Sequence, residues 1–236
     1  QQAELLLGKD PGNGDALALK AAALLVTGHV PESRVILEGL LRKGLTKPEL
    51  YIMLSNIHLM QKENAKAHEM LRRAAAANPT SAEVYFALAK TALVSGDIVN
   101  AEDSLKKIIA LQPDKVTHKL NLASLYMDSN RKGQAEAAIA GILNNKAASE
   151  DDYLAVSRFY LQRSLLPQAE QTLQAGIKRH DKTFNLRYAL AEFYLNIGKP
   201  DQSMALLNEC LKLEKKPDTP QAIQAKNALA GCHIKK

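Results

Sequence analysis

Tryptophan is absent, and aromatic residues make up only 5% of the chain. With Ala and Leu dominant, that composition favours helix. Only two cysteines occur, Cys210 and Cys232, so no disulfide framework is available and no redox compartment is fixed. No stretch reaches the ~20 apolar residues that span a bilayer, and no signal peptide is visible. No run of five basic residues appears. The net charge of +6 spread over 236 residues therefore reads as a solvated, solubilising surface rather than a nucleic-acid face. The phosphate-loop, His-Glu-x-x-His, Cys-x-x-Cys and Gly-x-Ser-x-Gly patterns are all missing. No catalytic residue, cofactor or metal is expected.

What is present is a period. The stretch Ala82 to Lys115 holds two apolar runs of helical spacing, broken by Ser95-Gly96-Asp97 and closed by Gln112-Pro113-Asp114. The pattern returns every 34 residues. With Ala82 as position 1, full copies span 14–47, 48–81, 82–115, 116–149, 150–183 and 184–217. Residues 1–13 match the end of a second helix, and 218–236 match a further first helix after a lengthened loop. A single array over 1–236, cut from a longer one at both ends, is the expected organisation. Position 8 is always Ala or Ser, and so is position 20; position 24 is always Leu or Ile. Small residues at 8 and 20 let two helices approach, and the large residue at 24 fills the space beside them. Gly28, Gly96 and Gly198 at position 15 end the first helix. Pro31, Pro167 and Pro200 suit the first turn of the second helix, and Pro11, Pro79 and Pro113 at position 32 follow it.

This pattern resembles the tetratricopeptide repeat. The resemblance implies an all-α, right-handed solenoid of helix-turn-helix units. It departs from the family pattern at Lys119 and Arg187, where position 4 is usually aromatic. It departs again at position 27, where Leu40, Ile108, Ile142, Gly176 and Cys210 replace the usual Ala. Two histidines, His58 and His233, occupy position 11, which holds Tyr in three other copies, and read as packing residues. Glu150-Asp151-Asp152 opens a first helix, where acids favour the dipole.

The resemblance further implies that the first helices line a concave groove through positions 2, 5, 6, 9, 12 and 13. Position 5 then presents Ile52, Phe86, Leu120, Leu154 and Tyr188, and position 9 presents Asn56, Lys90 and Arg158. Asn121 adds an amide at position 6. An apolar groove with spaced polar groups suits an extended peptide or an amphipathic helix. These nine residues are the expected contacts of a protein or peptide ligand. The basic and amide residues of the family's chaperone-tail clamp are not in register here, so that ligand is not expected.

A non-catalytic binding scaffold is the leading reading. The Ala-rich copies are similar to bacterial lipoproteins of exopolysaccharide export and PEP-CTERM sorting, which implies a role in the bacterial envelope. Two alternatives stay open. One is the recognition arm of a larger enzyme such as a glycosyltransferase. The other is an RNA-reading helical repeat, which the acidic residues at position 2 (Asp15, Glu49, Glu83, Asp151) oppose.

Overall fold

A computed structural model describes residues 2–214 and 216–234. Among these, fourteen α-helices and no strand are present. In chain order they are α1 (Gln2–Lys9), α2 (Gly14–Val26), α3 (Val30–Arg42), α4 (Pro48–Met60), α5 (Asn64–Ala77), α6 (Ala82–Val94) and α7 (Ile98–Leu111). There follow α8 (Val116–Asp128), α9 (Lys132–Leu143), α10 (Glu150–Gln162), α11 (Leu166–Arg179), α12 (Phe184–Asn196), α13 (Pro200–Leu213) and α14 (Pro220–Ile234). The first helices of the six copies start at position 1 of the 34-residue period. The helices fall into two compact units, α1–α8 and α9–α14. The division lies inside the fourth copy, at the turn before α9. That helix is twelve residues long, carries two glycines and buries Ala135, Ile139 and Ile142.

Each unit is a stack of helical hairpins: α2–α3, α4–α5 and α6–α7 in the first, α10–α11 and α12–α13 in the second. The periodic positions explain the packing. Ala21, Ser55, Ala89, Ala123, Ser157 and Ala191 at position 8 are buried, as are Ser33, Ala67, Ala101, Ala135, Ala169 and Ser203 at position 20. In the first hairpin the Ser33 hydroxyl donates to the Ala21 carbonyl at 2.7 Å, which shows how closely the two backbones approach. Leu37, Leu71, Leu105, Ile139, Leu173 and Leu207 at position 24 are also buried. Each such side chain contributes about 1.5–3 kcal/mol on removal from water.

The hairpin turn is equally regular. Position 15 has positive φ in all six copies: Gly28, Gly96 and Gly198, but also Lys62 (60°), Asn130 (57°) and Ser164 (56°). The next N–H reaches back to the position 11 carbonyl, as Asp97 to Ala92 and Lys199 to Tyr194, both at 2.8 Å. This is the six-to-one bond of a Schellman turn, which ends a helix while satisfying its last carbonyls. Several first-helix starts are capped by side chains: Asn13 accepts from Ala16 N–H at 2.9 Å, Ser149 and Asp152 form a reciprocal capping box, and Thr219 accepts from Ala222 N–H at 3.1 Å.

The departures from the pattern have local causes. Arg187 at position 4 keeps its charge partnered, donating to Glu209 at 3.1 Å and to the Thr183 carbonyl at 2.9 Å. Gly176 at position 27 leaves the room that Tyr153 and Leu186 fill: a Cβ there would lie 2.9 Å from Leu186 Cδ1 and Tyr153 Cγ. Tyr126 and Tyr194 at position 11 donate to Glu102 and Glu170 on the preceding second helix, at 3.0 and 2.6 Å. Where the preceding helix offers Arg34 instead, position 11 is His58, which is buried and bonds Glu63 at 2.7 Å. His233 at the same position lies outside the side chains the structure describes. The short α9 is compensated from α11: the Arg179 guanidinium donates to the carbonyls of Leu143, Asn145 and Lys146 at 3.3, 2.9 and 2.6 Å.

Candidate functional site: a groove on the first unit

Helix α6 divides its side chains sharply. Val84, Leu88, Ala89 and Ala92 turn inward and are buried, whereas Phe86 is 51% exposed. Its surroundings explain why: Asn56, Ala82, Ala87 and Ser124 are too small or too polar to cover a ring. Two cavities meet at Phe86 and Lys90. One, of about 470 Å³, lies toward α4 and the start of α8 and is lined also by Ile52, Asn56, Glu83, Gln112 and His118. The other, of about 270 Å³, lies toward α8 and is lined also by Leu93, Asn121, Ser124 and Asp128. Positions 2, 5, 6, 9, 12 and 13 thus share one face of this unit.

Three polar side chains of this face are exposed and unengaged, whereas the Ser124 hydroxyl donates to Asp128 at 3.2 Å. Asn56, Lys90 and Asn121 are all exposed, and none forms a hydrogen bond or ion pair with another described residue. Such groups are free to pair with a ligand's backbone or side chains. His118 behaves differently. Its Nε2 meets Gln112 Oε1 at 2.8 Å, and its Nδ1 is buried without a partner. Burial, and secondarily the Lys115 charge, holds the imidazole below its ordinary value of 6.5, so it is neutral at pH 7.

The nine expected contacts are distributed over the two units. Ile52, Asn56, Phe86, Lys90 and Asn121 gather on the first unit. Leu154 and Arg158 line a separate cavity of about 220 Å³ on the second unit, with Leu161, Glu192 and Asn196. Tyr188 is half-buried, stacked on Phe184 with ring centroids 5.8 Å apart; its hydroxyl engages Gln224 and Glu192, and burial raises its pKa. Leu120 and Leu154, expected as apolar contacts, are only 9% and 8% exposed and give the walls little surface. More apolar surface comes from Leu93 at position 12 and from Val26, Met60 and Val94 at position 13, 89%, 67% and 62% exposed. The period makes the position 13 residues visible as a ladder. Gln112 and His118 carry no such signal, because they enter the site from the end of α7 and the first turn of α8.

A further cavity of about 470 Å³ on the first unit is lined by Arg34, Glu38, His58, Lys66 and Glu69. Arg34 is paired with Glu38, and His58 and Lys66 with Glu63. Among the described residues no group of three His, Cys, Asp or Glu is placed to hold a metal, and no helix is long and apolar enough to cross a membrane.

Models of the tetratricopeptide repeat match residues 48–91, 86–152 and 184–217, together more than half of the chain. The chain belongs to the tetratricopeptide repeat family. Such repeats are generally non-catalytic scaffolds for protein–protein interaction. The fold is similar to that of a Parabacteroides merdae tetratricopeptide repeat protein, with a TM-score of 0.52 and 16% identity over 94% of this chain and 87% of that one. It is similar also to Pseudomonas aeruginosa PilF, with a TM-score of 0.52 and 14% identity over 91% and 96% of the two chains. The APC/C Cut9–Hcn1 structure matches with a TM-score of 0.52 and 16% identity over 98% of this chain, which spans 45% of that one. At these identities the likeness shows the fold. No curated protein sequence matches the chain.

Proposed function

We propose that this tetratricopeptide array is a non-catalytic scaffold that holds a polypeptide segment in the groove of its first unit. The exposed ring of Phe86 carries this reading. It stands at the junction of two cavities, flanked by the uncommitted side chains of Asn56, Lys90 and Asn121. An aromatic anchor in a pocket with polar groups around it is the usual composition of a binding hot spot. The amides serve a ligand's backbone, and Ile52, Phe86 and Leu93 serve its apolar side chains. A role in a bacterial envelope export or assembly complex is supported by the likeness of the Ala-rich copies to export lipoproteins; fractionation of the native cells tests it.

The groove itself is tested by peptide display on the intact chain, followed by affinity measurement. Phe86→Ala leaves the buried face of α6 untouched, so helicity should be retained in circular dichroism. Affinity for the selected peptides should fall about tenfold or more. Selected peptides that bind the variant as well as the parent would remove the groove as the site.

A further inference from the structure

The groove has two rims of different character, and together they describe its occupant. On α2, α4 and α6 the second helical residue is acidic: Asp15, Glu49 and Glu83, all exposed. The last residue of the same helices is apolar and exposed: Val26, Met60 and Val94. The two sets are eleven residues apart, which is three turns, so both lie on one face of each helix. They are separated by about 16 Å along the axis at 1.5 Å per residue. Across neighbouring helices they form two parallel lanes, acidic on one side and apolar on the other. Helix α8 ends both, with Thr117 in the acidic lane and Asp128 in the apolar one.

We propose that the groove of the first unit takes an amphipathic helix, basic along one side and apolar along the other, laid across α2, α4 and α6. This rests on the groove reading above and adds the chemistry and direction of the ligand. A helix with its side chains is about 10–12 Å wide. Lysines or arginines on one flank therefore reach the acidic lane while leucine-like side chains on the other meet Val26, Met60 and Val94. Three helices packed about 8–10 Å apart are crossed by roughly 14 helical residues. Asp15 is shared with Lys47, whereas Glu49 and Glu83 have no ion-pair partner among the described residues. Lys90 lies between the lanes, so the occupant offers it an acceptor near its middle. His118 adds no second cation at neutral pH.

The whole chain carries a net charge of +6, so attraction to net charge alone would favour an acidic ligand. The lanes favour a basic one, and that opposition makes the test sharp. The probes are two helical peptides of about 14 residues with the same amphipathic pattern, one of Leu and Lys and the other of Leu and Glu, titrated against the intact chain by fluorescence anisotropy. The Leu–Lys peptide should bind about tenfold or more tightly than the Leu–Glu peptide at low salt. Raising the salt to about 0.5 M should shrink that difference, as should the pair Glu49→Gln and Glu83→Gln. Leu–Lys affinity should also fall on Phe86→Ala.

Equal or tighter binding of Leu–Glu, no measurable binding of either peptide, or Leu–Lys affinity indifferent to the two Gln substitutions would overturn the acidic-lane assignment. Display-selected peptides that still depend on Phe86 would then leave the groove standing. Leu–Lys binding that ignores Phe86→Ala would place the peptide elsewhere and overturn this assignment too; display-selected peptides that also ignored Phe86→Ala would bring down the groove with it.

Discussion

Two glycines inside helices of the second unit give a controlled test of the packing. Gly141 in α9 has nothing within 4 Å of the place a Cβ would occupy. Gly176 in α11 has Leu186 Cδ1 and Tyr153 Cγ at 2.9 Å and Tyr153 Cβ at 3.0 Å. Replacing either by Ala removes the same backbone penalty, worth about 1 kcal/mol in a helix interior. At Gly141 that gain stands alone, so Gly141→Ala should stabilise by up to ~1 kcal/mol. At Gly176 it is opposed by overpacking, which costs ~1–3 kcal/mol in a close-packed core. Neither neighbour can easily withdraw. Leu186 is fully buried, and Tyr153 is held edge-on against His180 at 5.8 Å. Gly176→Ala should therefore be neutral to destabilising by ~2 kcal/mol, and the two variants should differ by the overpacking term alone, ~1–3 kcal/mol. Denaturant midpoints of the intact chain, followed by circular dichroism, measure the difference. Hydrogen exchange across α10–α12 should show the loosening concentrated there, because repeats couple to nearest neighbours. A Gly176→Ala midpoint raised as far as that of Gly141→Ala would refute the idea that Tyr153 and Leu186 require a glycine.

Other consequences are checked more simply. Lys62 and Ser164 hold the left-handed conformation that glycine holds in three other copies; Lys62→Gly and Ser164→Gly should each raise the denaturant midpoint, by up to ~1 kcal/mol in stability, since L-residues are strained there. His118 is held below 6.5 by burial. As pH falls below about 6.5 the unfolded chain takes up the proton first, and stability drops until pH has passed through the lower folded value. His118→Gln should flatten that part of the pH–stability curve, and an unchanged slope would show that burial of His118 is not its source. Cys210 is fully buried, and burial pushes its thiol from 9.0 up to about 11; a maleimide or disulfide reagent at about pH 8 should modify it only after unfolding. Rapid stoichiometric labelling of the native protein at Cys210 would contradict its burial.

The fold was legible because the period constrains buried positions most. Positions 8, 20 and 24 are buried in all six copies, and four small or branched residue types, Ala, Ser, Leu and Ile, give the phase. The turn at position 15 was legible only where glycine fills it. Lys62, Asn130 and Ser164 adopt the same backbone without the compositional signal, because the hydrogen-bonded turn outweighs the cost of a Cβ. The division of the helices at the α8–α9 turn was not legible, since the period runs through it without a change of phase.

The groove was legible by position but not by exposure. Position 5 is apolar in all six copies, yet Phe86 is half exposed and Leu154 is buried. What decides is the size of the residues on the adjoining helices, a property that the repeat does not fix. Around Phe86 they include Asn56 on α4 and Ser124 on α8, neither able to close over a ring. A surface assembled this way can change its ligand without touching the core. Position 2 can gain or lose a carboxylate, and position 13 an apolar side chain, while positions 8, 20 and 24 keep the helices in place. Specificity therefore resides in the combination of neighbouring copies. The triplet that joins Asp15, Glu49 and Glu83 to Val26, Met60 and Val94 differs from what the two full copies of the second unit present, since their first helices end in Gln162 and Asn196.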